Sequence, residues 1–218
     1  TADAEGDRYL HDGTEGAVGG ILVVPATTGN ITQGVAVAVT GTSAFTTSAS
    51  DATITLSNTT NALGGTVAFT TAGTTGNVVI DNGTTALDLA SSTINGTLTA
   101  TGGASAGIVD SGNVAVAGNV TLTTDAGNGV INMGTLQQSA GDLVLVTNGN
   151  GAATVVNNAA IDFGTSNVGG ALNVTASAGT ITQNGGALTV AGTSAFTTST
   201  NDQAITLSNT TNALTGAV

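Results

Sequence analysis

Two aspartates stand where a reaction or a metal ion could be served. Asp81 and Asp110 each close a short apolar run, as Ile80-Asp81 and Val109-Asp110, and Ile131-Asn132, Val156-Asn157 and Thr182-Gln183 occupy comparable places. If the 29 positions from Asp81 to Asp110 make one turn of a coiled chain, the two carboxylates sit about 5 Å apart on neighbouring strands. Carboxylates at such a separation serve retaining glycoside hydrolysis, or hold a Ca²⁺ ion between them. The same places also carry Asn and Gln, as solvated corners do where Asp and Asn are interchangeable turn formers. There is no GGxGxDxUx calcium repeat. Turn chemistry is therefore the expectation. No catalytic, cofactor-binding or metal-binding residue is assigned, and Ca²⁺ at these corners is the one cofactor left open.

Other chemistries are limited by the residues present. His11 is the single histidine, so no His-based triad or zinc cluster can form within this chain. Without lysine there is no Ser–Lys nucleophile. A polysaccharide lyase would have to rely on Arg8, the single basic residue, which lies in the polar opening stretch. Glycine-rich turns such as residues 73–76 (GTTG) lead into no helix and have no lysine, so they are not phosphate loops. Thr99/Thr101 and Thr121/Thr123 resemble the flat threonine pairs of ice-binding solenoids, but Val144/Val146 breaks the array. Seven N-x-[ST] sequons, from Asn30 to Asn209, are potential glycan acceptors in a chain where Asn and Thr are abundant.

The composition narrows the fold. Aromatic residues make up 2% and charged residues 6% of the 218 residues, against 33 glycines, one proline and a mean hydropathy of +0.32. Disordered chains are more hydrophilic than this, and Val, Thr and Ile favour strands, so an all-β protein with a thin core is expected. Thirteen acids against one Arg give a net charge of −12, which disfavours nucleic acid and anionic membranes as partners. No run of about 18 apolar residues calls for membrane insertion. Cysteine is absent, so disulfides contribute nothing. Five acids (Asp3, Glu5, Asp7, Asp12 and Glu15) crowd the opening stretch, which also holds the only Arg, His and Tyr. Residues 1–19 are thus set apart as a polar segment (a cap, a leader or an expression remnant), and residues 20–218 as the body.

That body repeats. GTSAFTTSASDATITLSNTTNAL (41–63) returns as GTSAFTTSTNDQAITLSNTTNAL (192–214), an offset of 151 residues. A second copy that starts and stops partway leads us to expect a piece of a tandem array. Within the unit, a glycine followed by an alternating apolar segment recurs at Gly41, Gly65, Gly96, Gly118, Gly141, Gly170 and Gly192, with gaps of 24, 31, 22, 23, 29 and 22. Each gap contains two further short runs. Three short strands per 22–31 residues, separated by Gly, Asn, Ser and Asp turns, describe one coil of a right-handed parallel β-helix. A lone coil cannot bury its apolar side, but stacked coils share a continuous core.

Alternation predicts an inward column of Leu98/Ala100, Val120/Leu122, Leu143/Leu145, Leu172/Val174, Phe45, Phe69 and Phe196. The coil-start glycines are expected to supply positive φ, and Asn82 in Asp81-Asn82-Gly83 to adopt a left-handed turn or join an amide ladder. Six coils per unit would make about 29 Å of rod. The competing fold, a string of β-sandwich domains, would show strands of unrelated spacing and no glycine beat.

GALNVTASAGTITQNGGALTVAG (170–192) resembles the filamentous haemagglutinin type of repeat. There G-x-L-x-V-x-A, then G-x-I-x-Q, then a third L-x-V strand make each coil. A looser form of the pattern runs from Gly20 to Val218. The resemblance implies an exported surface protein of a Gram-negative bacterium, two-partner-secreted or an autotransporter passenger, with the export route open. The function expected is a structural and adhesive segment of a large extracellular or cell-surface fibre. Its expected partners are further copies of itself through tandem, end-to-end or lateral contact, and a polysaccharide or a neighbouring cell. A passive matrix or surface-layer fibre is the alternative, followed by a carbohydrate-active β-helix enzyme.

Overall fold

The computed structural model describes residues 8–10 and 18–218. Every regular element among them is a strand, and the strands stack in parallel as a β-solenoid of about nine coils. A twelve-stranded and an eleven-stranded sheet form its two main walls; Ala38–Val39 and Ala62–Leu63 pair in a small third sheet. Burial alternates along the strands, as in Val120–Thr124 and Asp142–Val146, because successive side chains point to opposite faces. The inward set forms one continuous apolar core from Val24 to Val190. Arg8–Leu10 pairs in parallel with Ile31–Gln33, so the polar opening adds a strand to the twelve-stranded sheet.

Three expectations need correction. First, one coil takes from 19 residues (Ala153 to Leu172) to 24 (Ser43 to Val67), not 22–31. Between Ser43 and Ser194 the eleven-stranded sheet climbs seven rungs rather than six, about 34 Å at the usual strand spacing. Second, the inward residues do not form one column. Leu98/Ala100, Val120/Leu122 and Leu143/Leu145 stack in the twelve-stranded sheet, whereas Leu172/Val174 with Phe196, and Phe45 with Phe69, stack in the other. Phe45 and Phe69 lie ring over ring at 5.8 Å, while Phe163 and Phe196 meet edge to face across the core at 6.1 Å. Third, of the coil-start glycines only Gly141 has a positive φ, 81°. Close backbone approach explains the others. A Cβ on Gly65 would run into the carbonyl of Gly41, and one on Gly216 into the carbonyl of Gly192.

The first two corrections share one cause. The long strand opened by each glycine lies in the eleven-stranded sheet for Leu22–Ala26, Ser43–Ser50 and Thr66–Ala72. It moves to the twelve-stranded sheet for Leu98–Gly102, Val120–Thr124 and Asp142–Val146, and returns for Leu172–Ala176 and Ser194–Thr198. The two long gaps, at Gly96 and Gly170, are the two crossings; each takes about a coil and a half. The 151-residue unit is therefore two copies of a shorter one, each climbing three and a half coils.

Hydrogen bonds confirm the equivalence. Asn82 and Asn157, 75 residues apart and both fully buried, make the same clasp. Asn82 Oδ1 accepts from Leu63 N–H at 2.8 Å, and its Nδ2 donates to the carbonyls of Leu63 and Ala86. Asn157 Oδ1 accepts from Gln138 N–H at 2.8 Å, and its Nδ2 donates to the carbonyls of Gln138 and Ala160. Each amide imitates a peptide group and completes a ladder where the coil is short. Asn82 thus acts as a buried clasp, and the positive φ of that turn belongs to Gly83. Ser92 and Ser166 form another such pair, accepting from the N–H of Phe69 and of Leu145. Replacing Asn157 by Ala strands Gln138 and Ala160 groups inside the wall, so denaturant melts should show a loss of about 1–3 kcal/mol. Asn82→Ala should cost a similar amount.

Candidate functional site

The corner carboxylates come first. Asp81 ends the strand Val78–Asp81 in the twelve-stranded sheet, beside Thr101; Asp110 ends Ile108–Asp110 in the other sheet, beside Leu89. The two are a coil and a half apart and lie on different walls, so no dyad forms and no Ca²⁺ can sit between them. Each has a structural task. Asp81 Oδ1 accepts from Gly83 N–H at 2.8 Å, closing its own turn. Asp110 reaches to the next coil, where Oδ1 accepts from Gly134 N–H (2.8 Å) and Oδ2 from Thr135 N–H (2.7 Å) and Oγ1 (3.0 Å). It thereby pins the irregularity between Met133 and Leu136. Asn132 and Asn157 share a sheet with Asp110 but fall at other register positions, and Gln183 lies in the opposite sheet. The five corners do not line up as one row.

The fold does place two carboxylates on adjacent rungs, at Asp142 and Asp162, which are register partners. Their spacing of 20 residues is one local coil, and that was the cue available in the sequence. Asp162 is saturated: Oδ1 accepts from Thr182 Oγ1 (3.1 Å) and Asn184 N–H (3.0 Å), and Oδ2 from Asn184 Nδ2 (2.7 Å). Asp142 leans over Gly164 and Gly185; a Cβ on Gly185 would crowd its Oδ2, and one on Gly164 its Cβ. Asp88, the counterpart of Asp162 one repeat earlier, keeps Oδ1 buried with no hydrogen-bond partner among the described residues. Among the described residues no three His, Cys, Asp or Glu side chains gather as a metal site. His11 lies outside the described residues.

Amides and hydroxyls join coil to coil as well as acids do. Gln33 and Asn61 hydrogen-bond through both amide ends at 2.7 and 2.9 Å, and Gln183 and Asn212 repeat this at 2.7 and 2.8 Å. A buried threonine hydroxyl closes corner after corner, with Thr71 donating to Gly76, Thr124 to Gly129 and Thr147 to Gly151. The same hydroxyls accept the next coil's N–H from Asn95, Asn148 and Gly169. Sequence patterning did not single out these threonines, because their pairing depends on which coil lies above. On the outer face, Thr99/Thr101 stack on Thr121/Thr123, flanked by Val79/Asp81 and Val144/Val146. The full threonine pair spans two rungs, as the sequence indicated.

Among the described residues one acid, Asp51, has a displaced titration. The backbone N–H of Thr74, and after it that of Thr75, hold the Asp51 carboxyl below its ordinary 3.8, at about 2. Because the folded value is depressed, this tie is fully present above pH 3.8 and is lost as pH falls through 2. Amide exchange at Thr74 and Thr75, corrected for intrinsic rates, should accelerate across that window. Asp51→Asn, which keeps a carbonyl acceptor but cannot titrate there, should remove the pH dependence.

Parallel walls, duplicated clasps and a recurrent long strand define a β-solenoid repeat protein. The chain belongs to the family of repeats of unknown function DUF5649, whose model matches it three times in succession, over residues 10–70, 75–148 and 150–218. The second and third matches begin 75 residues apart, the period at which the clasp asparagines recur. No curated protein and no solved structure matches the chain.

Proposed function

We propose that the chain is a structural and adhesive segment of a large bacterial cell-surface or extracellular fibre, of the filamentous haemagglutinin-like kind carried by two-partner-secreted or autotransporter proteins. The observation that carries this reading is the unbroken parallel ladder. One core and two walls continue through all the coils, and copying a repeat lengthens the rod without any new kind of contact. Such a rod works mechanically. It holds whatever it bears at a distance, and weak contacts repeated along it add by multivalency. Its outer strands offer Thr, Asn, Ala and Val, whose hydroxyls and amides suit polysaccharide or a neighbouring cell's glycans, while other copies of the protein are its partners within the fibre. The net charge of −12 argues against nucleic acid.

Binding of the soluble 218-residue protein to a glycan array, and to cells coated on beads, tests the adhesive part. Saturable binding that is resistant to high salt is the expected result, since the contacts proposed are uncharged. Fibre formation with no binding to either surface would replace this reading with that of a passive matrix or surface-layer element.

A further inference from the structure

The fold sorts the seven Asn-x-Ser/Thr sequons by geometry. Asn82 is the buried clasp already described, with both ends of its amide bonded inside the wall. Asn95 Nδ2 donates to the Thr71 carbonyl at 3.0 Å. Asn30 and Asn119 turn Oδ1 to the next coil, accepting from Thr53 N–H and Asp142 N–H. Asn173 is exposed but lies within the strand Leu172–Ala176. There the extended chain sets Thr175 about 7 Å along the same face, beyond reach of the amide.

Asn58 and Asn209 differ from all of these. Each opens a turn, 58–61 and 209–212, closed by Asn61 N–H on the Asn58 carbonyl (3.1 Å) and by Asn212 N–H on that of Asn209 (3.2 Å). Within the turn the sequon's own threonine bends back to the amide. Asn58 Oδ1 accepts from Thr60 N–H (2.9 Å) and Oγ1 (2.7 Å), and Asn209 Oδ1 from Thr211 N–H (2.9 Å) and Oγ1 (2.6 Å). Neither Nδ2 donates to any group among the described residues. The Gln33–Asn61 clasp fixes the first turn, with Gln33 Oε1 also accepting from Asn58 N–H at 3.1 Å. The next coil is in place over that turn, where a Cβ on Gly83 would run into the carbonyls of Asn61 and Thr59. Ser57, Thr59 and Thr60 nevertheless stay exposed.

We propose that Asn58 and Asn209 are N-glycosylation sites, modified on the folded solenoid by a glycosyltransferase that uses a glycosyl diphosphate donor. Nδ2 attacks the anomeric carbon of the sugar. The bond from that carbon to the diphosphate oxygen breaks, and the diphosphate leaves with the electron pair. One Nδ2 proton passes to a base of the transferase, and the other stays on the new N-glycosidic nitrogen. As that proton departs, negative charge gathers on Oδ1, where the threonine N–H and hydroxyl already donate, as in an oxyanion hole. The inference goes beyond the fibre reading and does not depend on it, since a passive matrix element would carry the same sugars.

The test supplies the folded 218-residue protein with each source of the donor. One arm uses UDP-glucose with a soluble N-glycosyltransferase; the other uses a polyprenyl-diphosphate oligosaccharide with a membrane oligosaccharyltransferase. Peptide mass mapping follows each asparagine, and the arm that labels Asn58 identifies the donor. Synthetic peptides of residues 54–63 and 170–179 present Asn58 and Asn173 without the fold. In the folded protein Asn58 and Asn209 should react at least about tenfold faster than Asn119 and Asn173, a factor within reach of one hydrogen bond. The two peptides should react at similar rates. Modification of Asn173 as fast as that of Asn58 in the folded protein would overturn the inference, because exposure alone would then decide. So would a folded protein that stays unmodified at both Asn58 and Asn209 with either donor while the peptides react.

Discussion

Leu122→Asp should break the solenoid in its middle. Leu122 is fully buried, with Ala100 on the rung below and Leu145 on the rung above. A carboxylate there finds no counter-ion, since the chain has one Arg and no Lys. An unpaired buried charge in a packed core costs on the order of 5 kcal/mol. In a quasi-one-dimensional stack the loss should be local at first. Exchange protection should vanish over residues 98–146 while the strands near Phe45 and Leu172 retain theirs at low denaturant. Leu122→Ala should show the same pattern at about 2–5 kcal/mol. If every coil lost protection together, the coils would form one cooperative unit rather than a stack of neighbours.

The second large effect is expected where no side chain exists. Gly65→Ala places a methyl against the carbonyl of Gly41, which is backbone in a wall and cannot swing aside. Overpacking of this kind costs about 1–3 kcal/mol, and more when backbone must yield. Gly134→Ala is the control: its Cβ would meet only Asp110 Oδ1, at 3.8 Å, an ordinary contact. Urea melts of the two variants should separate clearly, with Gly134→Ala close to the parent protein. A neutral Gly65→Ala would mean that the glycine beat has some other cause than rung-to-rung contact.

The fold was open to sequence reading because its two strongest cues are local. Alternation such as Val120-Thr-Leu122-Thr identifies a wall strand with one buried face, and a recurring glycine marks each long strand. The coil count was harder to read. A glycine marks the long strand wherever it lies, and at Gly96 and Gly170 that strand changes walls. The same crossing misled the search for a dyad. The 29 positions from Asp81 to Asp110 are a coil and a half, whereas the 20 from Asp142 to Asp162 are one coil, and only whole coils bring side chains together. The shorter repeat stayed hidden because its copies share burial and hydrogen bonding more than letters, as Leu87-Asp-Leu and Ile161-Asp-Phe show. Clasps such as Asn157 depend on a neighbour 19 positions away in the chain, and no local pattern reports it.

Three and a half coils per repeat has a bearing on avidity. Successive repeats come out back to back, like leaves set alternately on a stem, so a feature inherited by every repeat surfaces on one flank and then on the other. A partner confined to one flank would meet it only every second repeat, about 34 Å apart. Partners on both flanks could be gripped at once. In a fibre of the proposed kind, such phyllotaxis would let one rod bridge its neighbours without a second kind of binding module.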